Sequence, residues 1–302
     1  MRILLTGACG LLGRAIRNAC GDGAHELVLF DLAAAVVQDG GIRADVTDAE
    51  AVMQAAQGCE AIIHTAAMHG ALYGKASNAE FLRVNVLGAE NLFQAALNHG
   101  IRRLVFSSTL EILCGRDWGA YSNVLLDESL PPRPDWIYPV SKLMVEQLGG
   151  FYAVHHGLEV VNLRYCWIRD KPPEELGLGL LARELPAVDA ARANLLAATK
   201  PGLCNEVFNI APDSPLTQRD CNEAIQGKDL WTILERHWPG SREVLCAHGV
   251  EPKPQHFWPV SRIDKAKLML SWQPEATFEK FLRGLGWNYP APGEIVKDGQ
   301  TL

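Results

Sequence analysis

Short apolar runs alternate with longer amphipathic stretches along the first two-thirds of the chain. Arg2–Leu5, Glu26–Phe30, Ala61–His64, Arg103–Phe106, Glu159–Leu163 and Val207–Ile210 are four or five residues long and rich in Ile, Val, Leu and Phe, the pattern of buried strands. Between them, Leu11–Ala19, Ala49–Ala56, Glu80–Asn98 and Val140–His155 carry helical periodicity. This βαβ alternation predicts an α/β fold, a doubly wound parallel sheet with helices on both faces. After Ile210 the pattern changes. Pro212, Pro215, Pro239, Pro252, Pro254, Pro259 and Pro274 divide the tail into short helices, and this Trp- and Pro-rich segment reads as a smaller substrate lobe or lid.

At 302 residues and 48% hydrophobic content, the chain is long enough for one large domain or a domain plus a lobe. A net charge of −7 without a basic cluster gives no electrostatic support to a nucleic-acid or acidic-membrane partner. No apolar run is long enough to span a bilayer, and the N-terminus leads directly into a strand without a signal peptide. The eight cysteines are scattered with no Cys-x-x-Cys, so free thiols in a reducing cytoplasm are expected and a metal site is not.

Two motifs carry the chemistry. Thr6-Gly7-Ala8-Cys9-Gly10-Leu11-Leu12-Gly13 joins the first strand to the first helix. A glycine turn there offers backbone N–H groups and a positive helix end to a pyrophosphate, making Gly7, Gly10, Leu11, Leu12 and Gly13 candidate cofactor contacts. Asp31 ends the second strand, where a carboxylate accepts both ribose hydroxyls of NAD and repels the extra phosphate of NADP; a solvated turn Asp is the plainer alternative. Asp45-Val46 closes the next segment and is a candidate for hydrogen bonds to adenine. The second motif is Tyr138-Pro139-Val140-Ser141-Lys142, opening a helix. A Tyr and a Lys four residues apart share one helix face, where an ammonium lowers a phenol's pKa. Together the motifs predict a nicotinamide-dependent enzyme that moves a hydride and a proton.

These residues, with His64-Thr65-Ala66-Ala67, Asn85, Ser107-Ser108-Thr109 and Arg164, occur in the order seen in extended short-chain dehydrogenases/reductases. The chain resembles the NAD-dependent epimerase/dehydratase family over roughly residues 1–215. The resemblance implies a Rossmann-type domain at 1–165, with 187–212 returning to it, and a small lobe from 166–186 and 213–302. It implies Tyr138 as acid/base, and Lys142 beside it bonding the nicotinamide ribose. Thr109 would hold the substrate oxygen, with Ser107 and Ser108 as fallbacks, and Ala66 and Ala67 would line the nicotinamide. Asn85 is either the asparagine that positions the lysine or a polar residue of a helix face, and His64 reads as a sheet-end structural residue. A homodimer through the helices at Glu80–Asn98 and Val140–His155 is likewise implied.

Three departures bear on the substrate. Trp167 stands where nucleotide-sugar epimerases have an asparagine after Leu-Arg. Only 24 residues lie between Arg164 and Asp189, too few for a nucleotide pocket of the usual length. Glu111 follows Thr109 by two residues, on the same strand-end face if the strand continues, where a carboxylate is a poor neighbour for a diphosphate but accepts hydrogen bonds from a polyol; otherwise it faces solvent. Ser108, Thr109, Glu111, Arg164 and Trp167 are the candidate substrate contacts. Arg164 either pairs with a substrate carboxylate or forms an internal ion pair. Trp118, Trp136, Trp167 and Trp258 supply either a flat wall for a sugar ring or packing. The truncated middle resembles small sugar or uronate dehydrogenases, so the reading is an NAD-dependent dehydrogenase of a small sugar, sugar acid or polyol. The alternatives are a nucleotide-sugar epimerase or dehydratase that recycles its NAD, and a catalytically silent NAD-binding sensor.

Overall fold

The computed structural model describes residues 1–21, 23, 25–72, 74–115 and 125–289; Trp118 lies outside them. Its strands are β1 (Arg2–Thr6), β2 (Glu26–Asp31), β3 (Ile42–Arg43), β4 (Ala61–His64), β5 (Arg103–Thr109), β6 (Glu159–Tyr165), β7 (Trp167–Arg169), β8 (Glu184–Pro186) and β9 (Glu206–Ile210). Seven of them form one parallel sheet in the order β3-β2-β1-β4-β5-β6-β9, and β7 pairs with β8 apart from it. The helices of this part are α1 (Leu11–Cys20), α2 (Ala49–Ala55), α3 (Asn78–Leu82), α4 (Gly88–His99), α5 (Glu111–Cys114), α6 (Ile137–His156), α7 (Pro173–Leu176) and α8 (Ala187–Thr199). Four more follow β9: α9 (Gln218–Ile225), α10 (Leu230–His237), α11 (Ser241–Ala247) and α12 (Phe278–Gly284). Among the described residues no helix is long and apolar enough to cross a membrane.

The strands are apolar throughout because both sheet faces are covered. Ile3 and Leu5 pack with Leu12 and Ile16 of α1 and with Ala190, Ala191, Ala193 and Ala197 of α8. Leu4, Ile62, Leu104 and Phe106 face the other way, onto Val52 of α2, Leu92 and Phe93 of α4 and Val145 of α6. Each fully buried Leu or Ile contributes roughly 2 kcal/mol of transfer free energy. A third core joins Leu176, Leu178, Leu180 and Leu181 to Leu216, Ile233, Leu234, Phe257, Phe281 and Trp287. Trp258 packs against that third core.

The sheet reverses its winding between β1 and β4, so the crevice at their carboxyl ends is where a doubly wound sheet binds ligand. Several boundaries differ from the sequence expectation. β5 runs on to Thr109 and β6 to Tyr165, because in-register pairing of Ser108 with Arg164 and Thr109 with Tyr165 continues the ladder through polar residues. The helix expected over 80–98 is α3 and α4 joined by a π-helical turn at Arg83–Leu87. It starts at a capping box in which Ser77 N–H donates to Glu80 Oε2 at 2.7 Å and Glu80 N–H to Ser77 Oγ at 3.2 Å. β3, β7 and β8 are two or three residues long, too short to show a period.

Candidate active site

The turn after β1 is shaped by what cannot fit there. Gly7 has φ +73°, and a Cβ on it would lie 2.5 Å from Ala66 N. A Cβ on Gly13 would lie 2.1 Å from Gly7 O and 2.8 Å from Ala8 Cα, so the first turn of α1 lies directly on the loop. Gly10 caps α1 without a side chain, and no acidic residue occupies the first turn. The N–H groups of Leu11, Leu12 and Gly13 therefore project at the positive helix end with no intrahelical acceptor, a donor set that fits a pyrophosphate. The side chain of Leu12 itself belongs to the core. Asp31 is held against this turn: its Oδ2 accepts from Cys9 N–H and its Oδ1 from Ala33 N–H, both at 2.8 Å. Ala66 and Ala67 follow β4, partly exposed.

Asp45 and Val46 are engaged locally. Asp45 Oδ1 accepts from Thr47 N–H at 3.0 Å, and Arg83 lies 3.6 Å from its carboxylate. Burial pushes its carboxyl up, but the Thr47 hydrogen bonds and the Arg83 charge outweigh this and hold it below the usual range. Val46 is buried, and its carbonyl accepts from Asn91 Nδ2 at 2.9 Å.

At the end of β5 the three consecutive hydroxyls separate. Ser107 lies beside the buried Tyr165 phenol, which accepts from Asn194 Nδ2 at 2.6 Å. Ser108 turns under α6. Thr109 lies beside the Tyr138 phenol, whose pKa its hydroxyl acts to lower. Tyr138 sits in the first turn of α6, and Lys142 follows one turn later on the same face, its Nζ 6.0 Å from the Tyr138 ring centre. Burial lowers Lys142 to about 8. Tyr138 is pushed above the ordinary phenol value, first by burial and then by the Glu111 carboxylate, against the lowering influence of the neighbouring Thr109 hydroxyl.

For Glu111 the structure answers the condition that the sequence left open. The strand does not continue past Thr109, because the Thr109 hydroxyl oxygen accepts Glu111 N–H at 3.2 Å and Leu110 turns helical. Glu111 instead opens α5, and its Oε2 accepts from Trp136 Nε1 at 2.9 Å. The Trp136 ring lies 5.4 Å from that of Tyr138, so this tryptophan forms part of the wall beside the phenol.

For Arg164 the internal ion pair is the alternative realised. Its Nε and Nη2 donate to Glu146 Oε1 and Oε2 at 2.9 and 2.6 Å, and Ser108 Oγ donates to the same Oε1 at 2.6 Å. All three side chains are buried. The triad ties α6 to β5 and β6 one turn beyond Lys142. Glu146 escaped the sequence reading, although Tyr138, Lys142 and Glu146 are spaced four residues apart down one helix face. Asn85 lies in the π-helical turn; its Nδ2 donates to Ser141 Oγ at 2.8 Å and Met68 O at 3.0 Å, and its Oδ1 accepts Met68 N–H at 2.8 Å. It thus bonds the neighbour of Lys142 and the loop beyond Ala67. His64 is buried, with Nδ1 2.6 Å from Thr6 Oγ1, the structural place expected of it. Trp167 is partly exposed between the guanidinium groups of Arg183, at 4.2 Å, and Arg169, at 5.0 Å. A groove of about 790 Å³ along the outer side of α1, lined by Arg14, Arg17, Asp39, Arg169 and Lys171, stands apart from Tyr138.

Comparison with known proteins gives four findings. The model of the NAD dependent epimerase/dehydratase family matches residues 3–168. A uronate dehydrogenase of Pseudomonas syringae pv. tomato is 32% identical over 168 residues, 54% of this chain and 58% of that protein. An L-arabinose 1-dehydrogenase (NAD(P)(+)) of Haloferax volcanii is 32% identical over 234 residues, 71% of this chain and 85% of that protein. Among solved structures, the glucuronic acid dehydrogenase from Chromohalobacter salexigens superposes with a TM-score of 0.67 at 25% identity, over 99% of this chain and 92% of that one.

Proposed function

The chain belongs to the NAD-dependent epimerase/dehydratase family, and from that premise we propose that it is a dehydrogenase oxidising a carbinol carbon of a small sugar, sugar acid or polyol. The observation that carries this reading is the grouping of the Tyr138 phenol with the Thr109 hydroxyl beside it and Lys142 one turn further along the same helix face. Bound NAD supplies the hydride acceptor. The Leu11, Leu12 and Gly13 amides hold its pyrophosphate, Asp31 its adenine ribose, and Lys142 its nicotinamide ribose.

Thr109 donates to the reacting oxygen and fixes it beside Tyr138, which takes the hydroxyl proton. A phenol pushed upward by burial and by Glu111 needs a cation to work near neutrality. Lys142, titrating near 8, still carries that charge at neutral pH. Trp167 and Glu111 border the substrate in this reading. Met144, Phe151 and Val154 lie exposed along α6, a face that suits a second copy of the chain. Eight free thiols support a reducing cytoplasm as its compartment.

The test is NADH formation by purified protein with NAD and a panel of free sugars, uronates and polyols. Tyr138→Phe is expected to reduce kcat/KM about 1,000-fold while leaving NAD affinity unchanged. Interconversion of nucleotide sugars without net NADH would replace this reading with an epimerase.

A further inference from the structure

The acidic group beside the reacting centre neither gives nor takes a proton in the transfer described above. Glu111 is held there by two features of the fold. The Thr109 hydroxyl, which lies beside Tyr138, captures its N–H and turns the chain into α5. Its carboxylate then accepts the indole N–H of Trp136, whose ring is packed between Phe81, at 6.1 Å, and Tyr138, at 5.4 Å. The carboxylate is therefore fixed beside the phenol rather than free to swing into solvent. A fixed carboxylate within electrostatic reach of the phenol, next to the hydroxyl that orients the reacting oxygen, attracts neutral hydroxyls and repels anions.

We propose that Glu111 is the specificity-determining residue of this site, accepting a hydrogen bond from a free hydroxyl on the carbon next to the reacting carbinol. The substrate class is then a vicinal diol, such as an aldose oxidised at its hemiacetal carbon with the neighbouring hydroxyl unsubstituted. A carboxylate or phosphate on that neighbouring carbon is rejected, whereas an acidic group at the far end of the sugar is not. The step balances without Glu111 titrating: the carbinol C–H bond breaks to give hydride to the nicotinamide, Tyr138 takes the hydroxyl proton, and a C=O bond forms. Trp136 is a positioning residue for the same carboxylate. The inference rests on the dehydrogenase reading above and narrows its substrate.

The phenol provides an independent readout. Among the described residues, the charges that meet Tyr138 are Lys142 on its own helix and Glu111 on α5. Asp135, whose carboxylate packs against Gly115, adds negative charge on the α5 side. Removing the Glu111 charge relieves part of what holds the phenol up, so the rise of kcat/KM with pH moves to lower pH.

The experiment compares glucose, galactose and arabinose with 2-deoxyglucose, 2-deoxygalactose and 2-deoxyribose, using the full chain with NAD. The wild type is expected to prefer the parent sugar by at least about 100-fold in kcat/KM, since a site built to bond a hydroxyl is left with an unpaired group when that hydroxyl is missing. In Glu111→Gln the preference is expected to fall at least tenfold, with the pH profile displaced to lower pH; Trp136→Phe should produce a smaller loss of preference. Equal turnover of parent and deoxy sugars by the wild type, or an unchanged ratio and pH profile in Glu111→Gln, would overturn this inference and leave the dehydrogenase reading standing. No NADH from any sugar, uronate or polyol would overturn both.

Discussion

The two ends of the crevice, one proposed for cofactor and one for substrate, are built from different materials. The cofactor end is backbone: a turn in which Gly7 and Gly13 leave no room for a Cβ, followed by three open amides. The substrate end is side chain: Thr109, Glu111, Trp136 and Tyr138, brought together by where one strand stops and one helix begins. Backbone requirements restrict residue type at fixed spacing. Side-chain constellations depend on boundaries a residue or two wide, and they tolerate many sequences. The first kind of site should therefore fail when one methyl group is added, and the second when one charge is removed.

The largest effect is expected at the charge lock behind the substrate end. Glu146→Leu leaves the Arg164 guanidinium buried without its carboxylate, which costs about 3–5 kcal/mol. Urea unfolding should register that loss. Adding Arg164→Met to the same chain should recover most of it, because an apolar pair removes the uncompensated charge. If the double variant is as unstable as the single one, the triad acts through shape and not charge.

Gly13→Ala probes the other kind of site. The added Cβ meets backbone atoms of Gly7 and Ala8, which cannot swing away as a side chain would, so α1 must move off the loop. NAD affinity is expected to weaken about 100-fold, close to 3 kcal/mol, measured by calorimetric titration. Retention of wild-type affinity would mean that the amides of Leu11 and Leu12 do not hold the pyrophosphate. A smaller change is expected from Asp31→Ala, which removes a charged acceptor: NAD should bind about 30-fold more weakly relative to NADP. An unchanged ratio would show that the Asp31 carboxylate serves only the Cys9 and Ala33 amides it already accepts.

The same contrast explains what could be read in advance. The sheet, the glycine turn and the Tyr138/Lys142 pair each carry a local signature, a run, a spacing or a periodicity. The ends of β5 and β6 did not, because Ser107–Thr109 and Arg164 are polar residues kept in the ladder by their partners across the sheet. The position of Glu111 stayed open for the same reason: a hydrogen bond from its own N–H to Thr109 decides whether the strand continues. The π-helical turn at Arg83–Leu87, which aims Asn85 at both Ser141 and Met68, leaves no mark in a pattern that repeats every 3.6 residues. Glu146 was legible in principle as the third member of a one-face series, but its partners Ser108 and Arg164 lie on two other elements.

His64 joins the two ends, which makes its titration a measure of their coupling. Its Nδ1 meets the Thr6 hydroxyl at the entrance to the glycine turn, and the Lys142 charge reaches it from the catalytic helix. Burial first, and then Lys142, lowers the imidazole from 6.5 to about 3. Between those values the unfolded chain binds a proton that the folded chain refuses, so stability falls as pH drops below about 6.5 and the loss accumulates toward 3. Each pH unit within that window removes about 1.4 kcal/mol, so wild-type protein should lose about that much from this residue at pH ~5.5. His64→Asn keeps a hydrogen-bonding side chain for Thr6 and does not titrate, so its unfolding free energy should fall less over the same interval. Parallel pH dependence in the two proteins would mean that the folded imidazole accepts a proton near neutrality. The junction between the backbone-built and side-chain-built ends would then be open to water.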